Sequence, residues 1–123
     1  MKISGAESLV MEALWRRSPL AAEEIFAEVG EAQGWAGATL KTLLNRLLNK
    51  GVVSAQKDGR RYLYRPLVVR DDYVESESQG LLDRLFGGQL APLVAHYARH
   101  RDLSAADLAR LKRLIAELET DDE

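Results

Sequence analysis

The side chains best suited to chemistry in this sequence are polar donors and amides between residues 39 and 49. At 100° per residue they share one arc of a helix, opposite an arc of leucines. No Asp or Glu occurs among them, whereas an ordinary solvated helix face mixes both signs of charge. These side-chain types form hydrogen bonds with base edges and phosphates. The residues are Thr39, Lys41, Thr42, Asn45, Arg46 and Asn49.

The distribution of charge points in the same direction, although the net charge of the 123 residues is -2. Residues 1–66 hold ten Lys or Arg against seven Asp or Glu, a net +3, and the rest of the chain holds seven against twelve, a net -5. Between residues 39 and 66, seven bases accompany a single acid. A basic block between acidic flanks predicts a phosphate-binding surface. Charge alone also allows a plain solvated face.

Other chemistries find little support. The chain has no cysteine, which excludes disulfides, thiolate zinc sites and cysteine-ligated clusters. His96 and His100 have the spacing of a helical metal pair, with Asp102 nearby, but a stable site needs three or four ligands, so we predict no metal and no cofactor. Phosphate-loop and nucleophile-elbow motifs are absent, which argues against an enzyme. With neither a signal-like nor a membrane-spanning apolar run, we expect a soluble, cytoplasmic protein without membrane insertion.

The elements that must position the polar arc begin with two helices. Ser4 and Glu7 have the spacing of a capping box, which starts a helix ending near Arg17. Leu20 then forms a short strand-like entry. A second helix over about residues 21–31 follows, with Ile25 and Val29 expected to be buried.

The third helix is predicted over residues 38–50. Gly37 is expected to be its N-cap, and Gly51 is expected to end it in a left-handed conformation. Two β-prone runs follow at 52–57 and 61–65, and the Asp-Gly pair between them predicts a hairpin with a basic tip. Tyrosines in this hairpin, like both tryptophans, are expected to pack on the core. Helix, short strand, helix, helix and hairpin are the order of a winged helix-turn-helix. Such a domain binds DNA or, alternatively, serves as a protein-interaction module.

The rest of the chain predicts three acidic helices with apolar stripes: one at 71–86, one around Pro92 and one after Ser104. So short a region makes a poor core by itself. The stripes are therefore expected to pack against a second copy, with packing inside one chain as the alternative. The predicted dimer contacts are Leu82, Leu85, Phe86, Leu93, Tyr97, Leu108, Leu111 and Ile115.

The predicted fold class is therefore mostly α (α+β). An N-terminal winged helix-turn-helix with a two- or three-stranded wing occupies residues 1–67. A helical dimerisation domain occupies residues 68–123.

These motifs, in this order and at this spacing, resemble the BlaI/MecI family of penicillinase and methicillin-resistance repressors. The resemblance covers nearly the whole chain. It rests on Glu7-x-x-Val10-Met11-x-x-Leu14-Trp15, on the run from Thr39 to Leu47, on Arg61-Tyr62-x-Tyr64-x-Pro66, and on Leu85-Phe86-Gly87-Gly88.

The resemblance implies a homodimer that binds a palindromic operator and blocks transcription. It places the third helix in the major groove, the wing on the DNA backbone and the C-terminal helices in the dimer interface. Carried over by position, the DNA-facing residues of the helix are Lys41, Thr42, Asn45 and Arg46, and those of the wing are Arg60 and Arg61.

The resemblance also implies a route of induction. In the best-known members a membrane sensor-protease pathway cuts an Asn-Phe bond in the dimerisation region. The matching position here is His96-Tyr97, which keeps the aromatic residue and lacks the Asn. Copper-responsive relatives carry C-terminal cysteine pairs, which this chain does not have.

Overall fold

The computed structural model describes residues 2–101 and 103–121, in two compact units, Met1–Glu75 and Ser76–Glu123. The first unit contains α1 (Gly5–Arg16), β1 (Leu20–Ala21), α2 (successively Ala22–Ile25, Phe26–Gly30 and Glu31–Gln33), α3 (Gly37–Asn49), β2 (Val53–Asp58) and β3 (Arg61–Pro66). Helix α4 (Arg70–Phe86) crosses the division, and α5 (Leu90–His100) and α6 (Ala105–Asp121) follow. The predicted fold class is confirmed. Among the described residues, no helix is long and apolar enough to cross a bilayer.

The three strands form one antiparallel sheet in the order β1-β3-β2. Its longer pair is the predicted hairpin, in register from Val53 opposite Pro66 to Asp58 opposite Arg61. The turn between them has two residues, and Gly59 adopts φ +65° at its first position. A positive φ there is what a type II′ hairpin turn requires. The sheet is therefore the three-stranded version of the predicted wing.

The core of the first unit depends on the leucine stripe of α3. Leu40, Leu43, Leu44 and Leu47 are buried against apolar residues of α1, α2 and the sheet. Burial of such a side chain stabilises the fold by about 1.5–3 kcal/mol. The stripe predicted from the sequence is confirmed, and its burial turns the opposite arc of α3 outward.

An ion pair between a buried carboxylate and a partly exposed lysine joins the start of α1 to the end of α3. The predicted capping box is present, with Glu7 N donating to Ser4 Oγ and Ser4 N donating to Glu7 Oε1, both at 3.1 Å. Lys50 Nζ also donates to both carboxylate oxygens of Glu7 at 2.8 Å. Glu7 is only 2% exposed, so this cation compensates a carboxylate that has lost its water. Gly51, at φ +74°, then ends α3 as predicted.

Opposing effects set the pKa of Glu7. Burial raises the pKa of this carboxyl, but the hydrogen bonds from Lys50 and Ser4 and the charge of Lys50 outweigh burial, so the pKa lies below its usual value of 4.5. A carboxyl with a lowered folded pKa stabilises the native state above its unfolded pKa. That contribution is lost as the pH falls through the folded pKa.

The first compact unit extends past residue 67, where the predicted domain boundary lies. Trp15 Nε1 donates to the carbonyl oxygen of Val68 at 2.9 Å, and its ring lies 5.4 Å from that of Tyr73. Arg70 Nε donates to Glu12 Oε1 at 3.0 Å. These contacts attach the start of α4 to α1. Both tryptophans pack on the core, as predicted.

Helix α2 departs from the sequence prediction in one respect. Ile25 and Val29 are buried as expected, but the helix widens to π geometry over Phe26–Gly30 before it continues to Gln33. The apolar spacing alone did not indicate this wider turn.

The second compact unit contains the predicted helices but no closed core. Gly87 and Gly88, both at positive φ, end α4, and Ser104 Oγ accepts a hydrogen bond from Asp107 N at 3.0 Å to cap α6. Among residues 76–101 and 103–120, none is fully buried. The apolar stripes of these helices are therefore only partly covered within one copy.

Glu7→Gln should lower the free energy of unfolding by about 1–3 kcal/mol at pH 7, because Lys50 loses its charged partner. Gln still accepts the capping hydrogen bond from Ser4, so the substitution removes mainly the charge. Urea unfolding at pH 7 and at a series of lower pH values measures the effect, which should shrink as the pH falls below the unfolded pKa of the carboxyl and through its lowered folded pKa.

The matched control is Glu31→Gln, at an exposed glutamate that has no ion pair within the described ranges. Its effect should stay within about 0.5 kcal/mol. A Glu7→Gln protein as stable as wild type at pH 7 would contradict the proposed importance of the pair.

Candidate nucleic-acid interface

The exposed face of α3 contains all six polar residues predicted from the sequence. Lys41 and Arg46 form no ion pair with any residue in the described part of the chain. Thr42 Oγ1 donates to the carbonyl oxygen of Ala38 at 3.0 Å, and its lone pairs remain available. The structure thus presents donors and amides on one open surface with no carboxylate on the helix. The six exposed residues are Thr39, Lys41, Thr42, Asn45, Arg46 and Asn49.

The N-terminus of α3 begins without a side-chain cap. Ala36 is the N-cap, at φ -77° and ψ 158°, and its methyl group can accept no hydrogen bond. The expectation that Gly37 is the cap was wrong, because Gly37 is the first helical residue. The carbonyl of Ala36 accepts from Thr39 N and Leu40 N. Capping by a side chain would satisfy an amide of the first turn that intrahelical bonds leave open.

The wing adds cations beside this helix. Arg60 lies in the two-residue turn, Lys57 one position before the end of β2, and Arg65 near the end of β3. All three are exposed, and none pairs with a carboxylate within the described ranges. Of these three, only Arg60 is among the binding residues predicted from the sequence. The other two cations, Lys57 and Arg65, lie on the paired strands β2 and β3.

The remaining two bases between residues 39 and 66 have acidic neighbours. Lys50 binds buried Glu7, and Arg61 lies 3.5–4.0 Å from three carboxylates, those of Glu23, Glu24 and Asp58. Neither arrangement was predicted. The unpaired positive charge of this surface therefore comes from five residues rather than seven: Lys41, Arg46, Lys57, Arg60 and Arg65.

The two tyrosines of the wing have different environments. Tyr64 pairs with Leu20 of β1 and packs on the core, and burial together with the neighbouring charge of Tyr62 raises the pKa of its phenol. Tyr62 is 51% exposed, so the expectation that both pack on the core was wrong for it. Strand β1 is only two residues long, and Tyr62 lies beyond its reach, opposite Lys57.

Comparison with known proteins assigns this arrangement to a family. A family model described as penicillinase repressor matches residues 3–117. The chain belongs to the penicillinase repressor family. The identification made from sequence motifs is confirmed, and the family is one of repressors rather than enzymes.

Members of the penicillinase repressor family match over nearly their whole length. The penicillinase repressor of Bacillus licheniformis is 31% identical over 116 residues, which are 94% of this chain and 91% of that protein. The methicillin resistance regulatory protein MecI of Staphylococcus aureus strain N315 is 28% identical over 114 residues, or 93% of each chain.

A solved structure shows the family's fold in the N-terminal part. It is the solution structure of Bacillus licheniformis BlaI, in monomeric form, in complex with the blaP half-operator. It is 34% identical to this chain with a TM-score of 0.52, and the match covers 59% of this chain and 89% of that one. This likeness confirms the winged-helix fold class.

The eight predicted dimer contacts of this chain lie in its second unit, and none of them is fully buried. Leu85, Tyr97, Leu108 and Ile115 are 41–64% exposed, and Leu82, Phe86, Leu93 and Leu111 are half-buried. An open apolar groove of ≈ 670 Å³ runs between α5 and α6. The side chains that line it include Leu90, Val94, Leu108, Leu111, Ile115 and Leu118.

The position that matches the family's cleavage site lies inside α5. The rings of His96 and His100 lie with their centroids 4.5 Å apart and their planes tilted by 46°, and Tyr97 is partly exposed. Cleavage of the His96-Tyr97 bond would require local opening of this helix. Among residues 2–101 and 103–121, no cluster of three or more metal-ligating side chains exists. Asp102, considered as a third ligand, lies outside the described residues.

Ala36→Ser should raise the free energy of unfolding by about 0.5–1 kcal/mol, because a hydroxyl at the N-cap accepts from an open amide of α3. Urea denaturation compares it with Ala38→Ser, an exposed position inside the helix where serine cannot cap. That control should be neutral or slightly destabilising. Equal effects of the two serines would contradict the uncapped helix start.

Proposed function

We propose that this protein is a transcriptional repressor that binds operator DNA through α3 and the wing. The observation that carries the proposal is the exposed face of α3, which offers Thr, Asn, Lys and Arg side chains and no acid. Membership of a repressor family supports it, as does the BlaI structure with bound half-operator DNA. In a bacterial cell this function would place the protein in the cytoplasm, where the chromosome lies.

The dimensions of α3 suit the major groove. A helix with its side chains is about 10–12 Å across, and the major groove is about 12 Å wide. Asn45 and Asn49 carry amides that can pair with adenine, and Arg46 can donate two hydrogen bonds to guanine. Lys41, Thr39 and Thr42 complete the face, with side chains that reach phosphates or base edges.

The wing supplies contacts that do not depend on sequence. Arg60 in the turn, with Lys57 and Arg65 on the strands, offers three unpaired cations to the phosphate backbone. Each phosphate neutralised releases counterions, so affinity should fall steeply as salt rises. Arg61 differs from these cations because three carboxylates lie within 4.0 Å of its half-exposed guanidinium.

The functional form that we propose is a homodimer on a palindromic operator. An apolar groove of ≈ 670 Å³ and a row of exposed leucines are unusual on a protein that stays monomeric. A symmetric pair would cover these faces and present two α3 helices to grooves about 34–36 Å apart, or a multiple of that distance. In the BlaI complex a monomeric form is bound to a half-operator, and the proposed dimer would place one protomer on each half of the operator.

Arg46→Ala should weaken binding to the promoter DNA next to the protein's own gene by about 1–3 kcal/mol, and relax the base preference if Arg46 reads guanine. A mobility-shift titration at two salt concentrations measures both affinity and salt dependence. Arg110→Ala, which removes an exposed arginine from α6, is the matched control and should bind as wild type does. Absence of salt-dependent binding by the wild-type protein would instead favour a protein-interaction module.

Ile115→Glu should shift the protein from dimer to monomer, because it places a charge in the apolar face of α6. Sedimentation velocity measures the change. Ala116→Glu adds the same charge on the other side of the helix, away from the groove, and should leave the dimer intact. A wild-type protein that sediments as a monomer at micromolar concentration would contradict the dimer.

A further inference from the structure

Two neighbouring arginines of the wing have different surroundings. Arg60 pairs with no carboxylate in the described part of the chain, whereas Arg61 Nη1 lies 3.9 Å from Glu23 Oε1 and 4.0 Å from Glu24 Oε1. Arg61 Nε lies 3.5 Å from Asp58 Oδ2. We propose that Arg61 is a positioning residue, which holds the wing against α2 and does not itself neutralise a DNA phosphate. The inference rests on the proposed function.

The strand register explains why the carboxylates lie beside Arg61. Ala21 of β1 pairs with Leu63 of β3, and α2 begins at the next residue. The first turn of α2, with Glu23 and Glu24, therefore starts beside this part of β3. Arg61 is two residues before Leu63 and so lies on the same side of the strand. The backbone pairing itself brings the opposite charges together.

Further contacts fix the acidic side of this arrangement. Glu24 Oε1 accepts a hydrogen bond from Ala21 N at 2.9 Å, and Glu24 Oε2 lies 3.8 Å from Arg17 Nη2. Arg17 and Arg16 also lie 3.7 and 3.6 Å from the carboxylate of Glu28. Alternating charges thus run from the end of α1 through α2 to the wing. Isolated surface pairs contribute little to stability, and a network of several charges is the case in which a larger contribution is expected.

These neighbours reduce what Arg61 can contribute to DNA binding. A phosphate that approaches Arg61 must compete with carboxylates already within 4.0 Å of the guanidinium. The same carboxylates repel the phosphate, since they lie well inside the screening length of about 10 Å at 0.1 M salt. Within the described ranges no carboxylate lies within 4.0 Å of the Arg60 guanidinium, so a charge-removing substitution should act differently at the two positions.

The test compares Arg60→Gln with Arg61→Gln in the full-length protein. Fluorescence anisotropy measures binding to a short duplex of arbitrary sequence between about 50 and 200 mM salt. For each protomer bound, Arg60→Gln should reduce the steepness of the plot of log affinity against log salt by about 0.9. Arg61→Gln should leave the slope close to the wild-type value.

A second pair of variants tests the effect of the two α2 carboxylates that lie beside Arg61. In Glu23→Gln/Glu24→Gln the two α2 carboxylates are gone, while the Gln at position 24 can still accept from Ala21 N. Of the three carboxylates only that of Asp58 then remains beside Arg61, so the guanidinium competes better for phosphate and the slope should steepen by up to about 0.9. Adding Arg61→Gln to this variant should return the slope to the wild-type value.

The outcomes separate this inference from the function on which it rests. A loss of slope for Arg61→Gln equal to that for Arg60→Gln, in the otherwise wild-type protein, overturns the positioning role. If the wild-type protein binds no DNA, the proposed function fails, and urea unfolding then decides the inference. The midpoint of urea unfolding is then compared for Arg61→Gln, for Glu23→Gln/Glu24→Gln and for the variant that combines them. Non-additive shifts of this midpoint would support the network, and additive shifts would overturn it.

Discussion

The burial of one leucine stripe fixes the rotation of α3 about its own axis, and the candidate interface depends on that rotation. Turning the helix far enough to hide Arg46 would bring leucines into water, each at a cost of about 1.5–3 kcal/mol. Losing several such contacts would consume most of the 5–15 kcal/mol that stabilises a typical domain. The polar arc therefore has one orientation available, with all six of its side chains exposed.

Ion pairs then divide the basic residues into two groups with different roles. Lys50 holds the end of α3 to the start of α1 through buried Glu7, and Arg61 connects the wing to α2. Among the bases between residues 39 and 66, the cations left unpaired lie on the exposed face of α3 and on the wing. Net charge alone does not reveal this division, because a lysine that stabilises the fold and one that faces solvent count equally.

Local signals in the sequence predicted local structure well. The Ser4–Glu7 capping box, the leucine stripe and the Asp-Gly hairpin each depend on residues close in the chain, and each is present. The partners of Lys50 and Arg61 could not be predicted in the same way. Lys50 and Glu7 are 43 positions apart, and only the packing of α1 on α3 brings them together.

The exposure of Tyr62 and the extent of the first compact unit have similar causes. Tyr62 has the same strand phase as Tyr64, but only Tyr64 lies opposite β1, and the length of β1 is a property of the assembled sheet. The first unit extends past residue 67 because Trp15 and Glu12 of α1 contact Val68 and Arg70. Apolar periodicity describes one element at a time and does not report contacts between elements.

The most direct test of the central claim is a single NMR titration of labelled protein with duplex promoter DNA. The side-chain amides of Asn45 and Asn49 lie on the exposed face of α3, whereas the indole N–H of Trp15 donates to the carbonyl of Val68. We expect both amide signals to shift or broaden as DNA is added, while the Trp15 indole signal moves little. Unchanged Asn45 and Asn49 signals at saturating DNA would contradict the account.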